Sequence, residues 1–225
     1  MITQIRDQKL LIIEDNVAEA IYAQAEAAKA GFKDFVAVTN LADAQRYLPE
    51  AQLVASDLFF GAGNTQVTGF SERIAPLYQK FKETRFQKTK GLDVVLRAVE
   101  GCAETFGVTP QVYVEEFMAK VHTIPSVLKS ARDALAGVND SQKYREFLKI
   151  EQDIKEGRNL PLGIIVTEQA KEKGLSSVIV TSTNHHDLAF EPVRGLITVP
   201  YFDTLTAGRK NWQGAMDYFL RGEAK

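Results

Sequence analysis

Three carboxylates stand where apolar runs break off. Leu10-Leu11-Ile12-Ile13 stops at Glu14-Asp15, and Leu53-Val54-Ala55-Ser56 stops at Asp57. A hydroxyl, Thr181, closes a third run, Ser177-Val178-Ile179-Val180. If these runs are parallel strands, their C-terminal ends share one edge of a sheet and meet where the strand order reverses. Three carboxylates crowded there repel one another, and a divalent cation relieves that repulsion. Mg²⁺, or Mn²⁺ in its place, suits such a site, since it takes oxygen ligands from a few carboxylates, water and phosphate. Each residue also has a plainer reading. Glu14-Asp15 could be helix-start acids that favour the macrodipole, Asp57 a loop carboxylate, and Thr181 a β-branched strand residue.

The elements around these residues follow from their patterns. Unbroken apolar runs of four or five residues suit strands buried on both faces of a parallel sheet. Val17 to Ala30 has apolar residues at helical spacing and stops at Gly31. Phe35 to Thr39 reads as a second strand, Leu41 to Leu48 as a helix closed by Pro49, and Leu53 to Asp57 as a third strand. After a long helical stretch the alternation resumes. Leu162 to Lys173 is a helix, Ser177 to Thr181 a strand, Gly195 to Val199 another, and Thr206 to about Leu220 a last helix. Alternating strands and helices predict an α/β fold with a doubly wound parallel sheet. The expected division is a first part over 1–61, a helical insertion over 62–157 and a second part over 158–225.

The insertion reads as helices over Ser71–Thr84, Gly91–Phe106, Pro110–His122, Ser126–Ala136 and Ser141–Lys155, with Val112-Tyr113-Val114 its one candidate strand. Thr109-Pro110 and Asn139-Asp140-Ser141 look like helix starts. A structureless loop of this length is improbable in a compact domain. Phe70 to Glu156 is therefore expected to form a compact helical subdomain beside the carboxylates, where it would gate Asp57 or sense its state. Gly61-Ala62-Gly63 lacks the Gly-Lys-Ser/Thr ending of a phosphate-binding loop and reads as a flexible entry to the insertion.

Lys and Arg number 27 against 29 for Asp and Glu, so the net charge of −2 leaves no electrostatic footprint for nucleic acid or an anionic membrane. No stretch approaches the ~20 apolar residues that span a bilayer. The single cysteine, Cys102, cannot form an internal disulfide and reads as a small core residue. A cytoplasmic protein is expected, with no room after the last helix for a separate DNA-binding domain. Lys80, Lys82, Arg85, Lys88 and Lys90 interleave with Phe81 and Phe86. Such a pattern can grip nucleic acid, but a solvated helix face is the preferred reading. His185-His186-Asp187 reads as a solvated loop, and His122 does not match a kinase phosphorylation motif.

The run Leu10 to Asn16, the helix end Lys29-Ala30-Gly31-Phe32, the strand Leu53 to Asp57 and the strand Val178 to Ser182 together resemble response-regulator receiver domains of two-component signalling. The resemblance covers about Gln8–Phe60 and Leu160–Leu220. It implies a flavodoxin-like five-stranded sheet in the order 2-1-3-4-5. It also implies Mg²⁺ held by Glu14, Asp15, Asp57 and the Phe59 backbone carbonyl. Asp57 would be the phosphoacceptor, with the Thr181 hydroxyl bonded to a phosphoryl oxygen. Implied partners are a histidine kinase or phosphotransfer protein, and a protein target met through the insertion or the last strand and helix.

The chain departs from the receiver pattern in three places. Val199 precedes Pro200 where receivers carry lysine, with Arg194, Arg209 or Lys210 as candidate substitutes. Leu196 stands where the fifth strand usually has an aromatic. Phe60-Gly61 replaces a Met-Pro pair. Two alternatives therefore stay open: a pseudo-receiver interaction module without phosphotransfer, and a Mg²⁺-dependent phosphohydrolase capped by the insertion.

Overall fold

A computed structural model describes residues 2–63, 73–86, 92–120, 125–157, 160–182, 188–204 and 209–222. The chain divides into two compact units, one of residues 1–74 with 152–225 and the other of 75–151.

The first unit is α/β. Its five strands are β1 (Leu10–Ile13), β2 (Phe35–Val38), β3 (Leu53–Ser56), β4 (Ser176–Val180) and β5 (Tyr201–Phe202). All pair in parallel, in the order β2-β1-β3-β4-β5. The parallel α/β sheet is the one expected from the alternation, and its order is the flavodoxin-like one that the resemblance implies. Every residue of β1 and β3 is buried, which is why they lack the alternation of a half-exposed strand; the one polar residue, Ser56, donates its hydroxyl to the Asp57 carbonyl.

A short helix, α1 (Ile2–Arg6), precedes β1. The helix after β1, α2 (Val17–Ala30), starts where the Asn16 side chain accepts from the Ala18 and Glu19 amides, and ends at Gly31 in the left-handed region. It buries Ala20, Ala23 and Ala27. Small residues on that face let α2 lie close to the sheet and to the last helix. The core it shares with the sheet contains Leu10, Ile12, Leu53, Ala55, Val178 and Val180, together with Trp212, Met216 and Phe219. Removing a side chain of that size from water stabilises the fold by about 1.5–3 kcal/mol. A helix after β2, α3 (Leu41–Tyr47), contacts β1 and is capped by Asn40, whose Oδ1 accepts from the Asp43 amide at 3.0 Å.

The second unit is helical: α4 (Ala75–Arg85), α5 (Leu92–Thr105), α6 (Pro110–Lys120) and most of α7 (Pro125–Lys155). Its aromatic centre is Phe147, fully buried, with Tyr78, Phe81 and Phe86 rings 6.2, 5.4 and 5.6 Å away. Phe81 and Phe86 are thus core residues of this unit, and Lys82 pairs with Glu151 at 2.8 Å. The rings between the basic residues are spent on packing, not held out as stacking platforms. Lys88, Lys90, His122 and His185-His186-Asp187 lie outside the described residues.

The first unit's remaining helices are α8 (Leu162–Glu172), which contacts α3, β3 and β4, and α9 (Trp212–Arg221), which packs on α2.

Several sequence expectations are corrected. The fifth strand is not Gly195–Val199. Glu191–Leu196 forms a 3-10 helix with proline in its first turn, and the chain joins the sheet only afterwards. There the Ile179 and Thr181 amides donate to the Pro200 and Phe202 carbonyls at 2.9 and 3.0 Å. Pro200 is tolerated because β5 is an edge strand. Val112-Tyr113-Val114 is helical, inside α6. Asn139-Asp140-Ser141 does not start a helix, because α7 runs unbroken through it. Cys102 is exposed. Gly61 is pinned, its carbonyl accepting the Leu41 amide at 3.2 Å. Among the described residues, no helix is long and apolar enough to cross a membrane.

Candidate metal and phosphoryl site

The register of β1 and β3 builds the site. Ile13 pairs with Ser56, so the next residues, Glu14 and Asp57, emerge together from the sheet edge. The Asp57 amide donates to the Ile13 carbonyl at 2.8 Å and the Glu14 amide to the Val38 carbonyl at 2.9 Å, fixing both backbones. One carboxylate oxygen from each of Glu14, Asp15 and Asp57 falls within 4.8 Å of the others. Glu14 is fully buried and Asp57 nearly so, while Asp15 is exposed. Thr181 directly follows β4, is buried, and is tied by its amide to Phe202. Phe59 is only partly buried, in the turn between Leu58 and Phe60.

A fourth group completes the cluster. The Lys210 ammonium lies 2.5 Å from Glu14 Oε2 and 2.6 Å from Asp57 Oδ2, with its side chain almost wholly buried. Of the three cations considered as substitutes for the missing lysine, this is the one paired with the carboxylates. Arg209 instead sits over the Tyr22 ring at 4.9 Å, and Arg194 is exposed on the 3-10 helix.

Lys210 is held from several sides. Its backbone pairs with Thr204. Its carbonyl accepts the Trp212 amide at 2.9 Å, and Trp212 Nε1 donates to Glu19 Oε2 at 3.3 Å. The Asn211 side chain caps α9 by accepting the Gly214 amide at 2.9 Å. A sequence signal for Lys210 existed in this last feature. A lysine directly before an Asn cap and a buried Trp enters the fold with its helix. The apolar run Gly195–Val199 masks this signal, because as a strand it puts the expected cation at Val199.

Burial and charge set the protonation states. Desolvation raises the Asp57 pKa to about 7; Lys210 pulls it down, while Glu14 and Asp15 push it up. Burial likewise raises Glu14, against the opposing pull of Lys210. Asp15 is raised by desolvation, with Lys210 and the amides of Asp15, Asn16 and Gly61 working against it. Burial works against charge on Lys210, but Asp57 and Glu14 together outweigh it, and its pKa is raised. One ammonium cannot balance three carboxylates, so the cluster holds excess negative charge that only a proton or a further cation can offset. The donors are all oxygens and close together, so the residues fit a hard divalent ion such as Mg²⁺.

The two Asp57 oxygens differ. Oδ1 accepts the Leu58 amide at 2.7 Å, whereas Oδ2 faces Lys210. The insertion also begins and ends here. Phe60 and Leu160 form an antiparallel bridge, with their amides donating to each other's carbonyls at 3.0 and 3.2 Å. Arg73, just before α4, makes a two-point ion pair with Glu168 of α8 at 2.8 and 2.9 Å.

Compared with known proteins, the chain matches no family model, no curated protein and no solved structure.

Proposed function

We propose that this protein is a receiver-like phosphoacceptor, in which Asp57 takes a phosphoryl group with the help of Mg²⁺. The observation that carries the reading is Lys210. Its ammonium is buried between Glu14 and Asp57 at the sheet edge where the third strand ends. The cation that the receiver resemblance requires, and that Val199 does not supply, thus reaches the cluster from the start of α9.

Glu14, Asp15, Asp57 and the Phe59 carbonyl would hold the metal. When bound, Mg²⁺ supplies positive charge that stabilises the phosphoryl oxygens in the transition state. Asp57 Oδ2 is the attacking oxygen, because Oδ1 is engaged by the Leu58 amide. A P–O bond forms at Oδ2 while the phosphorus bond to the donor's nitrogen or oxygen breaks, and the leaving group departs with that electron pair and takes up a proton. Lys210 gives up its contact with Oδ2 and pairs with a phosphoryl oxygen, while Thr181 donates its hydroxyl to another. A phosphohistidine of a kinase or phosphotransfer protein is the donor class that fits. Val17 and Ile21, 67% and 62% exposed and one turn apart on α2 just past the acidic pair, offer such a partner an apolar landing.

A second reading has one observation in its favour. Lys210 already pairs with both buried carboxylates, so the cluster can serve as a structural ion-pair network in a pseudo-receiver. Incubation with a small phosphodonor such as acetyl phosphate separates the two. The phosphoacceptor reading expects Mg²⁺-dependent labelling of the wild type and none of Asp57→Ala. No labelling of either protein under any donor favours the pseudo-receiver.

A further inference from the structure

We propose that Gly163, at the start of α8, is a positioning residue for the Asp57–Phe59 turn. The proposal rests on the reading of Glu14, Asp15 and Asp57 as a cation site. A Cβ built on Gly163 would stand 2.2 Å from the Asp57 carbonyl oxygen, 2.9 Å from Leu58 Cα and 3.1 Å from the Asp57 carbonyl carbon. Contacts that short are with backbone, which cannot swing aside as a side chain tip can. Gly163 is not among the glycines with positive φ, so glycine is required here for close approach rather than for backbone conformation.

The turn it meets has little freedom. The Asp57 amide is bonded to Ile13, the Asp57 carbonyl accepts the Ser56 hydroxyl at 2.8 Å, and Asp57 Oδ1 accepts the Leu58 amide. Gly163 itself donates to the Leu58 carbonyl at 3.1 Å, and the next residue but one, Phe60, is bridged to Leu160 on both of its backbone groups. Leu160 to Gly163 thus grips the turn on both sides of Phe59. A methyl at position 163 must either push the start of α8 away or rotate the Asp57–Leu58 peptide. Rotation would move the Leu58 amide off Asp57 Oδ1 and re-aim the Phe59 carbonyl. Groups that orient ligands from behind change metal affinity by about 10- to 100-fold when altered.

The test is Mn²⁺ titration, followed by the electron spin resonance of free Mn²⁺, on wild type, Gly163→Ala, Asp57→Asn and Gly195→Ala. Gly195 has open space around it, so its variant controls for adding a methyl. The expected result is Mn²⁺ affinity about 10- to 100-fold weaker in folded Gly163→Ala and unchanged in Gly195→Ala. Wild-type affinity in folded Gly163→Ala overturns the proposal. If Asp57→Asn binds as tightly as wild type, the cluster is not the cation site, and the functional reading falls together with this one. Should Gly163→Ala fail to fold, hydrogen exchange of the wild type decides. Slower exchange of the Gly163 and Leu58 amides on adding Mg²⁺ supports the coupling, and unchanged exchange refutes it.

Discussion

Replacing Lys210 with methionine keeps most of the apolar stem and removes the ammonium from between two buried carboxylates. Even with Lys210 present, Asp57 has a pKa of about 7 against an ordinary 3.8, so keeping it ionised in the fold costs about 4 kcal/mol. Without contacts of 2.5 and 2.6 Å to an ammonium, Glu14 and Asp57 titrate higher still. Breaking a buried pair from one side costs about 3–5 kcal/mol. The sign follows from the raised pKa values. A carboxyl whose folded pKa exceeds its unfolded one favours the fold while protonated, and that contribution is lost as pH rises through the folded value. Lys210→Met should therefore lose about 3–5 kcal/mol at pH ~8 but only ~1 kcal/mol at pH ~5, where a proton stands in for the ammonium. Urea unfolding followed by fluorescence of the sole tryptophan, Trp212, buried two residues away, measures this directly. An equal loss at both pH values would refute the claim that the ammonium acts by offsetting the charge of Glu14 and Asp57.

Three further outcomes are expected. Mg²⁺ binding to the wild type should strengthen as pH rises through about 7, because the ion displaces the Asp57 proton; isothermal calorimetry at several pH values reads this, and a flat profile contradicts it. Phe147→Ala should destabilise the helical unit by about 3–5 kcal/mol, since it empties the centre of the aromatic cluster; thermal melts by far-ultraviolet circular dichroism check it. Gly163→Ala should lower the melting temperature although alanine is the better helix former by about 1 kcal/mol, because the added Cβ meets the Asp57 carbonyl.

The sheet was legible in the sequence because β1, β3 and most of β4 are buried on both faces, and such strands carry apolar runs without alternation, broken here only by serines at the ends of β3 and β4. The placing of Glu14 and Asp57 side by side followed from two carboxylates ending neighbouring strands. β5 was not legible. Two paired residues carry almost no pattern, and the more apolar Gly195–Val199 run competed for the assignment. Lys210 stood only as one of three candidates, because its approach depends on how α9 docks through Trp212 and not on distance from a strand end. Gly163 gave no signal either. It lies at a helix start with an unremarkable backbone, and the reason for glycine is a carbonyl on the far side of the insertion. Asn139-Asp140-Ser141 shows the opposite failure, a good capping sequence overridden by a helix that continues through it.

Under the proposed function, Asp57 itself carries the phosphoryl group. Borohydride reduces an aspartyl phosphate to homoserine, so treatment after exposure to acetyl phosphate and Mg²⁺ marks the acceptor permanently. Peptide mapping by mass spectrometry should find homoserine in place of Asp57 and at no other carboxylate, and none when Mg²⁺ is chelated. Homoserine elsewhere, or an unmodified Asp57 in protein that is folded and holds Mg²⁺, would contradict Asp57 as the phosphoacceptor.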